Sequence, residues 1–97
     1  MSNNLIKLTS IDIEQRLVAL PGWALSARGE LSRTFTQPNF MSGLLFINRI
    51  AGAAEAAKHH PDLLLTYPRV QVALTTHDVG GLTEKDFDLA AQIDKLV

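Results

Sequence analysis

The chain's three histidines are His59 and His60, adjacent and followed by Pro61, and His77 farther on. The free imidazole pKa of ~6.5 lets histidine both give and accept protons near neutral pH. A cluster of three could therefore supply an acid and a base to one small substrate. Glu55 stands four residues before His59, a spacing that puts its carboxylate on the same helical face, within reach to fix the tautomer of His59. Against this stands a plainer reading, in which His-His-Pro is a polar helix end and Glu55 a solvated residue in a weak pair. Glu55 with the three histidines also has the donor atoms for zinc. Adjacent His59 and His60 on a helix would point about 100° apart, however, and no H-E-x-x-H or cysteine-based spacing is present, so no metal is expected. Gly80-Gly81 before a helix start is only loosely like a phosphate loop. Trp23 and Tyr67 could lie against a flat heterocycle or serve as hydrophobic anchors.

The elements that must position these residues follow from periodicity. Thr9 reads as an N-cap with Asp12 as capping-box partner and Leu8 and Ile13 at the staple positions, and Ile13, Leu17 and Leu20 form an apolar stripe before Pro21-Gly22. Trp23 and Leu25, then Leu31, Arg33 and Phe35 after Arg28-Gly29, alternate as a β-hairpin does. Asn39 caps a long helix whose apolar stripe is Phe40, Leu44, Ile47, Ala51 and Ala54. Gly43 and Gly52 inside it cost about 1 kcal/mol each relative to Ala, which points to close packing on another surface. Pro61 ends this helix, because a residue before proline is pushed out of the α region. A strand over Leu63 to Tyr67 and a second over Val70 to Thr75 follow, then Gly80-Gly81. A last helix is capped by Thr83 with Asp86 three residues on, and its apolar face is Leu89, Ala90, Ile93, Leu96 and Val97. The predicted order is α-β-β-α-β-β-α: an α+β fold with a four-stranded antiparallel sheet and helices packed on one face. His59 and His60 then fall at the end of the long helix and His77 just past the last strand, so the three imidazoles can meet at one edge of the sheet.

Ninety-seven residues make one domain, residues 1–97, because two cores of this size would each be starved of apolar area. The apolar share of 46% and charged share of 20% fit an ordinary globular chain rather than a disordered one. Nine Lys and Arg against ten Asp and Glu leave a net charge of −1, without the basic footprint that nucleic acid or anionic lipid requires. No apolar run reaches the ~18–20 residues of a membrane span, and Met1-Ser2-Asn3-Asn4 lacks the regions of a secretory signal, so a cytoplasmic protein is expected. With no cysteine there is no disulfide, thiolate ligand or thiol nucleophile. Leu63-Leu64-Leu65 exceeds what one strand face of a small monomer can bury, which points to a strand covered in a homo-oligomer, with burial under the helices as the competing explanation for part of the run.

The run Glu55-Ala56-Ala57-Lys58-His59-His60-Pro61, Tyr67 after a five-residue gap, His77 after nine more, and Asp86 beyond it resembles the signature of the pterin-4a-carbinolamine dehydratases. Val70 to Asp78, Gly80 to Asp86, Gly22-Trp23 and the Phe40 to Ile50 segment are also similar, so the resemblance spans almost the whole chain. It implies the same α-β-β-α-β-β-α sandwich. It also implies dehydration of 4a-hydroxytetrahydropterin (4a-hydroxytetrahydrobiopterin) to quinonoid dihydropterin, as in tetrahydrobiopterin recycling beside an aromatic amino-acid hydroxylase. No metal or organic cofactor is implied. Carried over by position, His59, His60 and His77 are the catalytic histidines, with His59 and His77 as acids and bases and His60 orienting the pterin. Glu55 would tune His59, and Trp23 and Asp86 would border or support the pocket. A homodimer or homotetramer is implied. The chain departs from the family pattern at Leu63 to Thr66, where members carry an aromatic residue and an Asn, and at Pro68. The competing reading is a non-catalytic scaffold of the same fold that assembles a partner or oligomer through its apolar strand and small-residue helix.

Overall fold

The computed structural model describes residues 5–97, so the Met1 to Asn4 opening lies outside the described residues. Three helices and four strands follow the predicted order: α1 (Ser10–Val18), β1 (Ala24–Leu25), β2 (Leu31–Thr36), α2 (Phe40–Ala57), β3 (Asp62–Thr66), β4 (Arg69–Leu74) and α3 (Glu84–Asp94). A single turn of 3-10 helix, His77–Val79, lies between β4 and α3. It adds to the order expected from sequence.

The sheet runs β1-β2-β4-β3 and every pairing is antiparallel. The α2 crossover carries the chain from β2 past one strand position to β3, and β4 then folds back into the gap. Val70, Val72 and Leu74 on β4 are fully buried, while Gln71 between them is exposed and pairs with Thr34 and Leu64 on the open face. The helices therefore cover one face only, as the period-2 pattern of β4 requires. Leu31, Phe35, Phe46, Ile50, Leu89 and Ile93 meet those β4 side chains in the core. Each such side chain contributes roughly 1.5–3 kcal/mol by leaving water.

Local signals fix the helix starts. Thr9 with Asp12, Asn39 with Ser42 and Thr83 with Asp86 each form a reciprocal capping box, satisfying N–H groups that a helix start leaves without partners. The buried face of α2 differs from the expected stripe. Gly43, Phe46, Ile50 and Ala54 are buried, whereas Phe40, Leu44 and Ala51 are exposed. The first two turns are apolar nearly all round, so helical periodicity fits two offset stripes, and Gly43 decides between them. A Cβ there would come within 2.8 Å of Leu65 Cδ1 and 3.4 Å of Val70 Cγ2, so the helix packs tightly on the sheet at this glycine. Gly52 faces open space instead. Leu20 lies beyond the end of α1, Tyr67 falls in the β3–β4 turn, and Phe87 rather than Val97 packs into the core. Leu64 on edge strand β3 is 53% exposed, with Leu63 and Leu65 turned toward the helices and partly buried.

Candidate active site

The end of α2 sets the position of two of the histidines. Ala57 is the last helical residue, and Lys58 adopts the left-handed conformation (φ 54°, ψ 40°). The Lys58 N–H donates to the Glu55 carbonyl at 3.2 Å and the His59 N–H to the Ala54 carbonyl at 3.1 Å. These two bonds close the helix as a Schellman motif, with lysine where glycine is usual. A side chain in this region costs about 1–2 kcal/mol, and its persistence marks a backbone over-determined by its surroundings.

This left-handed turn corrects one expectation. The four-residue spacing from Glu55 to His59 pairs them only if the helix continues through His59, and it stops two residues earlier. His60 turns back to Glu55 instead, with Nε2 2.6 Å from Oε2, both side chains exposed. His59 turns inward and meets Asp86, Nε2 to Oδ1 at 2.5 Å. The His59 side chain is 11% exposed and that of Asp86 0%.

Asp86 is held from several sides, as a buried carboxyl must be. Its Oδ2 accepts from the Thr83 N–H at 3.0 Å and from Thr76 Oγ1–H at 2.7 Å. The same residue thus completes the capping box of α3 and holds His59. The positive end of the helix macrodipole lies at this terminus and favours a carboxylate there. A carboxylate facing Nε2 selects the tautomer with its proton on Nε2, which leaves Nδ1 of neutral His59 able to accept a proton.

His77 opens the 3-10 turn just past β4 and is exposed. The Thr76 N–H donates to the Gly81 carbonyl at 2.9 Å, and the Val79 N–H to the Thr76 carbonyl at 3.2 Å, closing the turn beneath it. His59, His60 and His77 line one cleft of about 230 Å³. Leu5, Lys58, Asp78 and Lys85 are among the other residues that line it. Among the described residues, no three His, Asp or Glu side chains converge as a metal-ligand group.

Trp23 does not line this cleft. Its ring is 5% exposed and packs edge-on to Phe35, with centroids 6.1 Å apart, and its Nε1–H donates to Asp94 at 2.9 Å. It anchors the core. Thr76 was missed by sequence reasoning, although its signal was there: Val70, Val72 and Leu74 step onto Thr76 in the buried register, and a buried hydroxyl requires a partner. Lys58 gave no such signal, since nothing local predicts a left-handed lysine.

A larger cavity, about 290 Å³, lies on the open face of the sheet. It holds no histidine, and its lining mixes Arg28, Glu30 and Asp62 with small polar and apolar residues.

Residues 6–96 match the family described as pterin 4 alpha carbinolamine dehydratase. A protein of Acidobacterium capsulatum provisionally named as such a dehydratase is 50% identical over 91 residues, covering 94% of this chain and 98% of the relative. Its counterpart from Chloroflexus aggregans, with the same provisional name, is 48% identical over 91 residues, covering 94% and 97%. Among solved structures, a transcriptional coactivator/pterin dehydratase from Brucella melitensis superposes with a TM-score of 0.89 at 33% identity, covering 94% of this chain and 98% of the other. A pterin dehydratase-like protein described as a RuBisCO assembly factor of the alpha-carboxysome shares the fold at 19% identity, with a TM-score of 0.65 over 77% of this chain and 88% of the other. The histidine cleft, the sheet order and these relatives together place the chain in the pterin-4a-carbinolamine dehydratase family.

Proposed function

We propose that the chain dehydrates 4a-hydroxytetrahydropterins, such as 4a-hydroxytetrahydrobiopterin, to the quinonoid dihydropterin by histidine acid–base catalysis. In this elimination the bond from C4a to its hydroxyl breaks and the hydroxyl leaves as water after receiving a proton. The neighbouring ring N–H gives up a proton and its electron pair forms the C4a=N bond, so one proton is delivered and one taken. The single observation that carries the reading is the convergence of His59, His60 and His77 on one cleft with His59 fixed by buried Asp86. His59 and His77 are the two proton handlers, and His60, paired with exposed Glu55, orients the pterin. General acid–base assistance of this kind is worth ~10²–10⁴ in rate.

A scaffold role is the second reading. It is favoured by Leu64 on the edge strand and by Phe40, Met41, Leu44 and Leu45 on α2, all 39–60% exposed. An unpaired edge and an apolar helix face both call for cover, and we assign that cover to a homodimer or homotetramer of the enzyme. An aromatic amino-acid hydroxylase is the source of substrate this chemistry implies.

Decay of 4a-hydroxytetrahydropterin, generated in place by a hydroxylase, tests the reading through single variants. His59→Ala and His77→Ala each lower kcat by at least about tenfold, while His60→Ala acts mainly by raising KM. Wild-type kcat in both of the first two variants would refute the assignment.

A further inference from the structure

We propose that the Thr76 hydroxyl is a positioning group that fixes His59 and sets its placement relative to His77. The inference rests on the dehydratase reading.

Thr76 is 4% exposed, so no solvent replaces a lost partner. Its hydroxyl carries one proton, and Asp86 Oδ2 at 2.7 Å receives it. The Thr83 hydroxyl, 2.9 Å away, must then donate to Thr76 rather than accept from it. The Lys85 N–H completes the order by donating to Thr83 Oγ1 at 3.3 Å. Every proton along this chain points toward the carboxylate, whose other oxygen holds His59. Such a one-way series allows one arrangement of Asp86 and therefore one tautomer of His59.

The backbone of the same residue serves the other histidine. Its carbonyl accepts from the Val79 N–H in the 3-10 turn, and its N–H and carbonyl both bond Gly81, the N–H at 2.9 Å and the carbonyl at 3.4 Å, as an isolated β-bridge. The loop bearing His77 therefore springs from the residue whose side chain holds the partner of His59. One residue ties both proton handlers to a common frame, and an error of its position would be felt at both.

Thr76→Val preserves shape and removes only the hydroxyl. Asp86 keeps the Thr83 N–H, so the expected effect is a loosened carboxylate rather than a lost one: kcat falls about tenfold with KM changed less than about twofold. Thr76→Ser, which keeps the hydroxyl, recovers kcat to within about twofold of wild type. In an Asp86→Asn background the same Thr76→Val change costs less than about twofold, because its route to His59 is already cut. Wild-type kcat in Thr76→Val, or an equal loss in both backgrounds, would overturn the proposal. Should Thr76→Val fail to fold, Thr76→Ala takes its place in each arm.

Imidazole ¹⁵N spectra separate this proposal from the reading beneath it. Wild type shows His59 with its proton on Nε2, and Thr76→Val shows mixed tautomers with the global fold retained. A wild-type protein that turns over no pterin carbinolamine yet shows this change has lost the dehydratase reading and kept the positioning role. Normal turnover with unchanged His59 spectra in Thr76→Val sinks the positioning role alone.

Discussion

Helix α3 carries an aspartate near each end, and the two do opposite work. Asp86, in the first turn, is fully buried and meets Thr76, Thr83 and the titratable His59. Asp94, the last helical residue, is partly exposed and accepts from Trp23 Nε1–H and from Arg33 at 2.9 Å. The macrodipole favours the first carboxylate and opposes the second, so Asp94 sits at an unfavourable end and the Arg33 cation offsets it. Arg33 in turn stacks over Phe35, 4.5 Å from the ring centroid. A carboxylate facing donors that never change protonation near neutral pH is a structural clamp. One facing an imidazole on a cleft holds that ring in a defined tautomer, which the proposed proton transfer requires.

Conservative amide substitutions test this contrast most strongly. Asp86→Asn keeps the shape but replaces an acceptor with a donor, and kcat is expected to fall about a hundredfold, as when a catalytic imidazole is held in the wrong tautomer. Asp94→Asn is expected to leave kcat within about twofold and to lower stability by about 1–2 kcal/mol, seen as a drop in Tm of roughly 4–8 °C per kcal/mol for a domain this small. Equal effects of the two changes on kcat would erase the distinction.

Much of the fold was legible because it rests on local chemistry. Thr9, Asn39 and Thr83 announce their helices through reciprocal caps, and the alternation of Val70, Val72 and Leu74 gives the buried face of β4 directly. The buried side of α2 was not legible, since Phe40 to Ile47 offers apolar residues in every direction and the choice depends on contact between Gly43 and Leu65. The meeting of the three histidines could be read from the order of elements. Their carboxylate partners could not, because a left-handed Lys58 breaks the helical spacing on which a Glu55–His59 pair depends. Asp86 reaches His59 across 27 residues of sequence, a contact that only the tertiary fold creates.

Smaller perturbations refine the contrast. Gly43→Ala forces Leu65 Cδ1 to yield but gains about 1 kcal/mol of helix propensity, so a net change under about 1 kcal/mol is expected in thermal unfolding with kcat unchanged. Glu55→Gln removes the exposed partner of His60, and its effect on stability should stay under about 1 kcal/mol and shrink with added salt. The smallest effect concerns Asp12, whose carboxyl is pulled below its ordinary 3.8 by the Thr9 backbone N–H and then the Thr9 hydroxyl. A depressed carboxyl stabilises above its unfolded value, so the cap of α1 is intact above about pH 4 and weakens as the pH falls through the lowered value. Helical circular dichroism of wild type and Asp12→Asn should therefore differ at neutral pH and converge in strong acid.

The most direct test of the central claim is stopped-flow absorbance of 4a-hydroxytetrahydropterin decay with wild type beside the His59→Ala/His77→Ala double variant. The cleft chemistry predicts acceleration by wild type, ~10²-fold or more above the double variant, with both proteins folded by circular dichroism. Decay at the uncatalysed rate with wild type, or equal acceleration by the two proteins, would contradict it.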